Sequence, residues 1–383
     1  MSHPLFYIGA SAPGGLVLPD AHPSAYHLYA PRDVYFDDQV CVVADSGNHR
    51  VLIWHNVPDA CNQPADVVLG QPDFTSEGPR AGGTDVRRGM HLPTGVAVIE
   101  GQLWVADAWH HRLLVWERIP EVSFVPPDYV IGQPDSTSIE PNAGGQLNAS
   151  CFYWPYAFGW INQVFYVTDT GNRRILGWFG LPEPGQPADF VIGQPSFEEG
   201  RENRGVSVGP DTFRWPHSVV GTAEQLFIAD AGNHRILFWR PPATEDAPAT
   251  GVLGQSDFYQ SFELPHVPQG PKRLRFPYAL SLEDDCLAVA DTANNRVLLW
   301  NRAHELQSFA PADEVLGQPD FDAAGENQWK AVAMDTLCWP YGLHLHNRQL
   351  AIADSGNNRV VFWQLTPTVL PQEMTPSKEK LTP

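Results

Sequence analysis

The chain has 383 residues, of which 43% are hydrophobic and 18% charged, with 36 prolines and 32 glycines; that is ample for a large core and suits a turn-dense β fold. A net charge of −20 argues against nucleic acid as the main partner, because phosphate neutralisation wants a basic surface. Five cysteines without CxxC spacing, no basic-then-apolar leader, and no apolar run of about 18 residues point to reduced thiols, a cytoplasmic protein and no membrane insertion.

In chain order, the first candidate strand is Leu5 to Gly9, Leu-Phe-Tyr-Ile-Gly. Then comes Ala44-Asp45-Ser46-Gly47-Asn48-His49-Arg50-Val51-Leu52-Ile53-Trp54, a stretch that returns at Asp107, Asp169, Asp230, Asp291 and Asp354, in steps of 62, 62, 61, 61 and 63 residues. Each Asp is followed five residues later by Arg and nine later by Trp, and is preceded by fourteen residues by a proline (Pro31, Pro93, Pro155, Pro216, Pro277, Pro340). Gly-Gln recurs at residues 70, 132, 193, 254 and 317, continuing as Pro-Asp-Phe or with one of those three residues changed. Such registers make the chain a six-fold internal repeat.

Between these landmarks lie short runs of Val, Ile, Leu, Trp and Phe bounded by turn residues, which read as strands. In the second repeat they run from Gly95 to Ile99, Leu103 to Asp107, Arg112 to Trp116 and Asp128 to Gly132. No window holds an apolar 3.6 period, so helices are not expected. Four short antiparallel strands at a fixed period predict an all-β, six-bladed propeller. The motif Asp-x-Gly-Asn-x-Arg-(Val/Ile)-Leu-x-Trp resembles the NHL repeat, a six-bladed propeller family, over residues 5 to about 365. The Gly-Gln-Pro-Asp-Phe extension resembles a bacterial subgroup with long repeats, and exceeds the commoner repeat by a loop of roughly 18 residues.

The chain opens on a fourth strand without its first three and ends, from Trp339 to Gln364, on three strands without a fourth. Pairing residues 5 to 9 outside residues 359 to 364 would close the ring and remove both edges. Losing the first eleven residues is then expected to cost far more stability than losing the last fifteen. Residues 1 to 365 read as one domain, and 366 to 383, rich in Pro, Thr, Lys and Glu, as a disordered tail.

The long loops keep one length. From the residue after Gly-Gln to the next landmark proline the separation is 21 in all five cases, which predicts ordered loops packed on a neighbouring blade. Propeller connectivity puts them on the same rim as the Asp-x-Gly-Asn turns.

A feature present six times serves the fold, so Asp is expected to cap its turn through backbone amides, Arg to pair with it, Gly to supply positive φ, and Trp to fill the space between blades. Function is sought where the pattern breaks. In repeat two, Trp109-His110-His111 replaces Gly-Asn-x, which predicts an altered turn backbone and an indole with two imidazoles projecting from the rim. Arg87, Arg88, Lys272 and Arg273 add basic contacts on the loops, and together these seven are the expected partner-binding residues of the rim. Ala293 is a milder break.

A second candidate is the residue after each landmark proline, at the mouth of the channel: Arg32, Thr94, Tyr156, His217, Tyr278 and Tyr341. These six either bind a polar or anionic ligand or partner, or plug the channel by bonding one another. His217 is the ring's only histidine, and His344 with His346 lacks a third ligand, so neither a metal nor a cofactor is expected. The chain carries no H-E-x-x-H, P-loop or dinucleotide fingerprint, and its one G-x-S-x-G, Gly205 to Gly209, lies in a long loop with no strand–turn–helix pattern around it.

The expected function is a non-catalytic scaffold or accessory subunit that binds another protein through the long-loop face. Two alternatives come from the family resemblance: a metal-dependent lyase or hydrolase at the channel mouth, with Arg32, Tyr156, His217 and Tyr278 as its residues, and an RNA-binding module.

Overall fold

The computed structural model describes residues 2–9 and 22–366. Within them, six four-stranded antiparallel sheets form the blades of a ring. Blade 1 runs Asp33–Phe36, Cys41–Asp45, Arg50–Trp54 and Val67–Leu69, and blade 2 runs Gly95–Ile99, Gln102–Asp107, Arg112–Trp116 and Tyr129–Ile131. Blades 3, 4 and 5 repeat this order from Pro155–Ile161, Pro216–Gly221 and Pro277–Glu283. Blade 6 takes its first three strands from Pro340–His346, Gln349–Asp354 and Arg359–Gln364, and its fourth from His3–Ile8.

That last pairing closes the ring as the sequence predicts. His3–Ile8 lies antiparallel to Arg359–Gln364, with Tyr7 opposite Val361 and Ile8 opposite Val360. Tyr7 packs in the cluster shared with blade 5, and Ile8 in the cluster shared with blade 1, so the strand ties both neighbours. The expected tail falls, but for Thr366, outside the described residues.

Alternation along each strand sends one set of side chains to each sheet face, and every face meets the next blade. The core is therefore a set of wedges between blades. Trp116 lies in the wedge between blades 1 and 2, Trp239 in that between blades 3 and 4. All six repeat tryptophans are buried. The fourth strands are only three residues long in blades 1 to 5, and two outer edges are covered by the adjoining blade's hairpin. Phe124 N–H donates to Val68 O at 2.9 Å, and Phe309 N–H to Val252 O at 2.7 Å, which satisfies edge carbonyls.

Helical structure is confined to short turns. One-turn 3-10 segments follow every repeat aspartate, and other brief turns occur in the loops; the apolar pattern gives no hint of them because they contribute no amphipathic face.

The repeated polar residues show why loop length is fixed. The Arg235 guanidinium donates backward to Gly209 O and Thr212 O, and forward to Phe258 O, so it joins the loops before and after its blade. Arg50, Arg112, Arg174 and Arg296 do the same at nearly the same offsets. The glutamine of each Gly-Gln adds a second pin: Gln71 Nε2 donates to Gly78 O, and Gln133, Gln194, Gln255 and Gln318 each to the carbonyl seven residues on. An insertion would break several buried hydrogen bonds at once, whereas the unpinned hairpins vary freely.

Candidate functional site

Every repeat arginine pairs through Nε with its aspartate at 2.7–2.8 Å, both side chains essentially buried. The aspartate does not cap its own turn as expected. Its other oxygen accepts the backbone N–H sixteen residues upstream, as Asp230 does from Arg214 at 2.7 Å. It thus fastens the end of the incoming loop instead.

The motif glycine also has a different job from the one expected. Positive φ falls two residues later, at His49, His111, Arg173, His234, Asn295 and Asn358. Glycine is needed for close approach: a Cβ on Gly232 would stand 2.2 Å from Arg214 O, and on Gly171 2.4 Å from Tyr153 O. With glycine the turn N–H reaches that carbonyl at 2.7–2.8 Å; with Trp109 or Ala293 the distance grows to 3.3 or 3.2 Å.

The blade 2 turn therefore keeps the common backbone, and two of its three unusual residues are not projected. His111 has φ 56° and ψ 40°, like its counterparts. His110 and His111 are buried. His110 takes over the role of the repeat's asparagine, with Nδ1 2.8 Å from Asp107 Oδ2. Burial raises Asp107, but His110 and Arg112 outweigh it and hold the carboxyl down at about 2. Trp109 alone reaches solvent, stacked on Trp154 with ring centres 4.9 Å apart.

A further device had no sequence signal. The residue at positive φ sends its side chain to the next blade: Nδ1 of His49, His111 and His234 accepts the N–H of Leu92, Trp154 and Phe276 at 3.1–3.2 Å. Asn295 and Asn358 do this with amide oxygens, to Trp339 and Ala30, at 2.9 Å. The acceptor nitrogen must be unprotonated, and burial holds all three histidines at about 4. The unfolded chain binds their protons through about pH 6.5 and the folded chain only near 4, so this stability is complete above 6.5 and lost as pH falls towards 4. Going from pH 7 to pH 5 should lower Tm by roughly 5–10 °C. The triple substitution His49→Asn, His111→Asn and His234→Asn, borrowing the acceptor of blades 5 and 6, should leave Tm at pH 7 within about 3 °C and at least halve the acid-induced fall. Melting curves across this range check both.

The six mouth residues do come together. Tyr156 lies against His217, and His217 stacks on Tyr278, both with ring centres 4.3 Å apart. Tyr278 meets Tyr341 at 4.9 Å, Arg32 covers the Tyr341 ring at 3.7 Å, and Arg32 Nη1 points to Tyr156 Oη at 3.4 Å. These contacts make a closed circuit through five blades that passes over the small Thr94, whose hydroxyl donates to Tyr156 O. Burial lowers His217 to about 4 and raises the Tyr278 phenol to about 12. His217 Nδ1 sits 2.7 Å from Trp215 O, so that nitrogen carries its proton.

Beyond this circuit a cavity of about 370 Å³ runs along the innermost strands to exposed Glu100, past Val96, Val219, Leu280 and Leu343. His344 and His346 stand apart from the mouth: His344 packs on Tyr35, and His346 Nε2 is 3.0 Å from Asp38. Among the described residues no group of three or more His, Cys, Asp or Glu side chains is placed to hold a metal ion.

The expected basic rim residues do not join Trp109. Arg88 pairs with Asp85 at 3.0 Å and, with Arg87, lines a cleft against Pro126 and Pro127. Lys272 and Arg273 both sit over the Phe309 ring. The aromatic residues that precede four of the landmark prolines, Trp154, Trp215, Phe276 and Trp339, are a regularity of the sequence to which no role was given, and all four are at positive φ. Their shared position before proline was the available signal.

Residues 90–116 match the family model of the NHL repeat. No curated protein sequence matches the chain. Among solved structures, a protein of unknown function from Bacteroides thetaiotaomicron is similar with a TM-score of 0.50 and 12% identity, over 95% of this chain and 75% of that one. The hydrazine synthase of Kuenenia stuttgartiensis gives 0.47 and 11%, over 87% and 95%. The WD40 propeller domain of Doa1 gives 0.46 and 11%, over 90% and 97%. Identities this low speak to fold alone. The chain is thus a six-bladed β-propeller whose second blade matches the NHL repeat, with the same Asp, Arg and Trp at corresponding places in the other five.

Proposed function

We propose that this propeller is a non-catalytic scaffold or accessory subunit of the cytoplasm, and that it binds another protein through its long-loop face. The observation behind this reading is where exposed apolar side chains lie. Of eleven large exposed hydrophobic residues among the described ones, eight are on the long loops or the Asp turns, among them Tyr29, Trp109, Val206, Tyr259, Trp329 and Trp339. Trp329 is 84% exposed, which contributes nothing to the fold. Aromatic side chains gathered on one face are the usual anchors of a protein interface.

Both faces can be tested with one pair of variants. Trp109→Gly with Trp329→Ala strips the loop face, and Phe179→Ala strips the end of a third strand on the opposite face. Proteins captured from the native host by the wild type should be lost with the first variant and kept with the second, at unchanged Tm. Capture lost with Phe179→Ala alone contradicts the reading.

A further inference from the structure

Arg32 is a half-buried cation without a counter-ion. It forms no ion pair with a carboxylate among the described residues, although the chain as a whole carries −20. Its guanidinium carbon lies 3.7 Å from the centre of the Tyr341 ring, and its donors meet phenolic oxygens only, those of Tyr156 and Tyr341. A guanidinium has five N–H donors, more than these two partners take up. The next residue does not neutralise it: Asp33 Oδ2 accepts the Val96 N–H at 3.0 Å, within blade 2. The phenols of Tyr156 and Tyr341 favour the cation without neutralising it, and five of the six blades have an uncharged side chain at the same position. Blade 1 alone thus sets a positive charge at the mouth, and the cavity of about 370 Å³ beside Arg32 gives an anion room.

We infer that the channel binds a small amphiphilic anion, its anionic head on Arg32 with the phenols of Tyr156 and Tyr278, and its apolar body along Val96, Val219, Leu280 and Leu343. A lone inorganic anion would leave this apolar wall unused, and a neutral apolar molecule would leave the guanidinium unmatched. The volume lies near the lower end of the range for small-molecule sites. This inference is independent of the protein-binding reading, since it concerns the channel and not the rim.

The test uses the full chain with three probes: octanoate, acetate as head alone, and octanol as tail alone, each titrated by calorimetry. Octanoate should bind saturably with one site, at least about tenfold more tightly than either fragment. Arg32→Met should keep the fold, with Tm little changed because the half-buried guanidinium has no carboxylate partner to lose, and should weaken octanoate at least about tenfold while leaving octanol unaffected. Tyr156→Phe, which removes a single hydroxyl, provides the check that does not alter charge and should weaken octanoate severalfold. Octanoate that fails to saturate the wild type at millimolar concentration, or that binds Arg32→Met as well as wild type, overturns the inference. So does a large fall in Tm for Arg32→Met, which would make Arg32 part of the plug only.

Discussion

Deleting residues 1–9 should open the ring and lower Tm by more than about 10 °C, with association between chains in size-exclusion chromatography. The deletion removes the whole of His3–Ile8 and exposes the Arg359–Gln364 edge, which then offers unpaired N–H and C=O groups to other chains. Tyr7 is 3% and Ile8 0% exposed, and side chains of this size stabilise by about 1.5–3 kcal/mol each when buried. The backbone pairs and the loss of contact with blades 5 and 1 add to that. A peptide of residues 1–9 supplied in trans should restore part of the lost Tm, because the missing piece is an edge strand and not a loop. A truncated chain that melts like the intact one would mean that the remaining three-stranded blade closes the ring unaided.

Asp230→Ala should cost about 3–5 kcal/mol, seen as a fall in Tm of roughly 4–8 °C. The carboxylate is fully buried and takes three donors: Arg235 Nε at 2.8 Å, Asn233 Nδ2 at 2.8 Å and the Arg214 N–H at 2.7 Å. Removing it leaves the Arg235 guanidinium charged, buried and unpaired, and frees the end of the incoming loop. The damage should therefore spread. Amide exchange should quicken in both loops that Arg235 joins, around Gly209 to Thr212 and around Phe258, while blades 1 and 2 stay protected. Exchange that rises only at residue 230 and its turn would contradict the bridging role given to the arginine.

Some of this was legible in the sequence, and the reason is the six-fold repetition itself. Strand spacing, the Asp–Arg pair, the buried Trp and the closure by Leu5 to Gly9 each recur or fit a recurring gap, so accidental residues cancel. What escaped were relations between residues far apart in sequence. Nothing near Asp230 announces that its second oxygen will hold the N–H of Arg214, or that Arg235 will reach three loop carbonyls. The blade 2 turn was misread for a related reason. His110 looked like an exposed imidazole because it replaces asparagine, yet its Nδ1 occupies the place of the asparagine amide against Asp107. Glycine 47 and its counterparts invited an argument from φ, whereas the carbonyl packed against their Cα decides the matter.

The channel mouth was identified as a set of positions, but its state could not be. Whether Arg32, Tyr156, His217, Tyr278 and Tyr341 leave an opening depends on a few ångströms of ring placement, and their circuit of contacts closes. The same limit applied to the rim. Arg87, Arg88, Lys272 and Arg273 share a loop face in the sequence, but Arg88 lies over Phe124 and Lys272 and Arg273 over Phe309, contacts with neighbouring hairpins that no local pattern announces.

The central claim is that the residues repeated six times build the ring while the unlike residues of the loop face meet the partner. Hydrogen exchange of the full chain, alone and with the protein it captures, addresses this directly. Protection is predicted in the long loops and at Trp109, with the opposite hairpins around Asp59, Glu121, Glu183 and Glu305 unchanged. Protection confined to those hairpins would contradict the account.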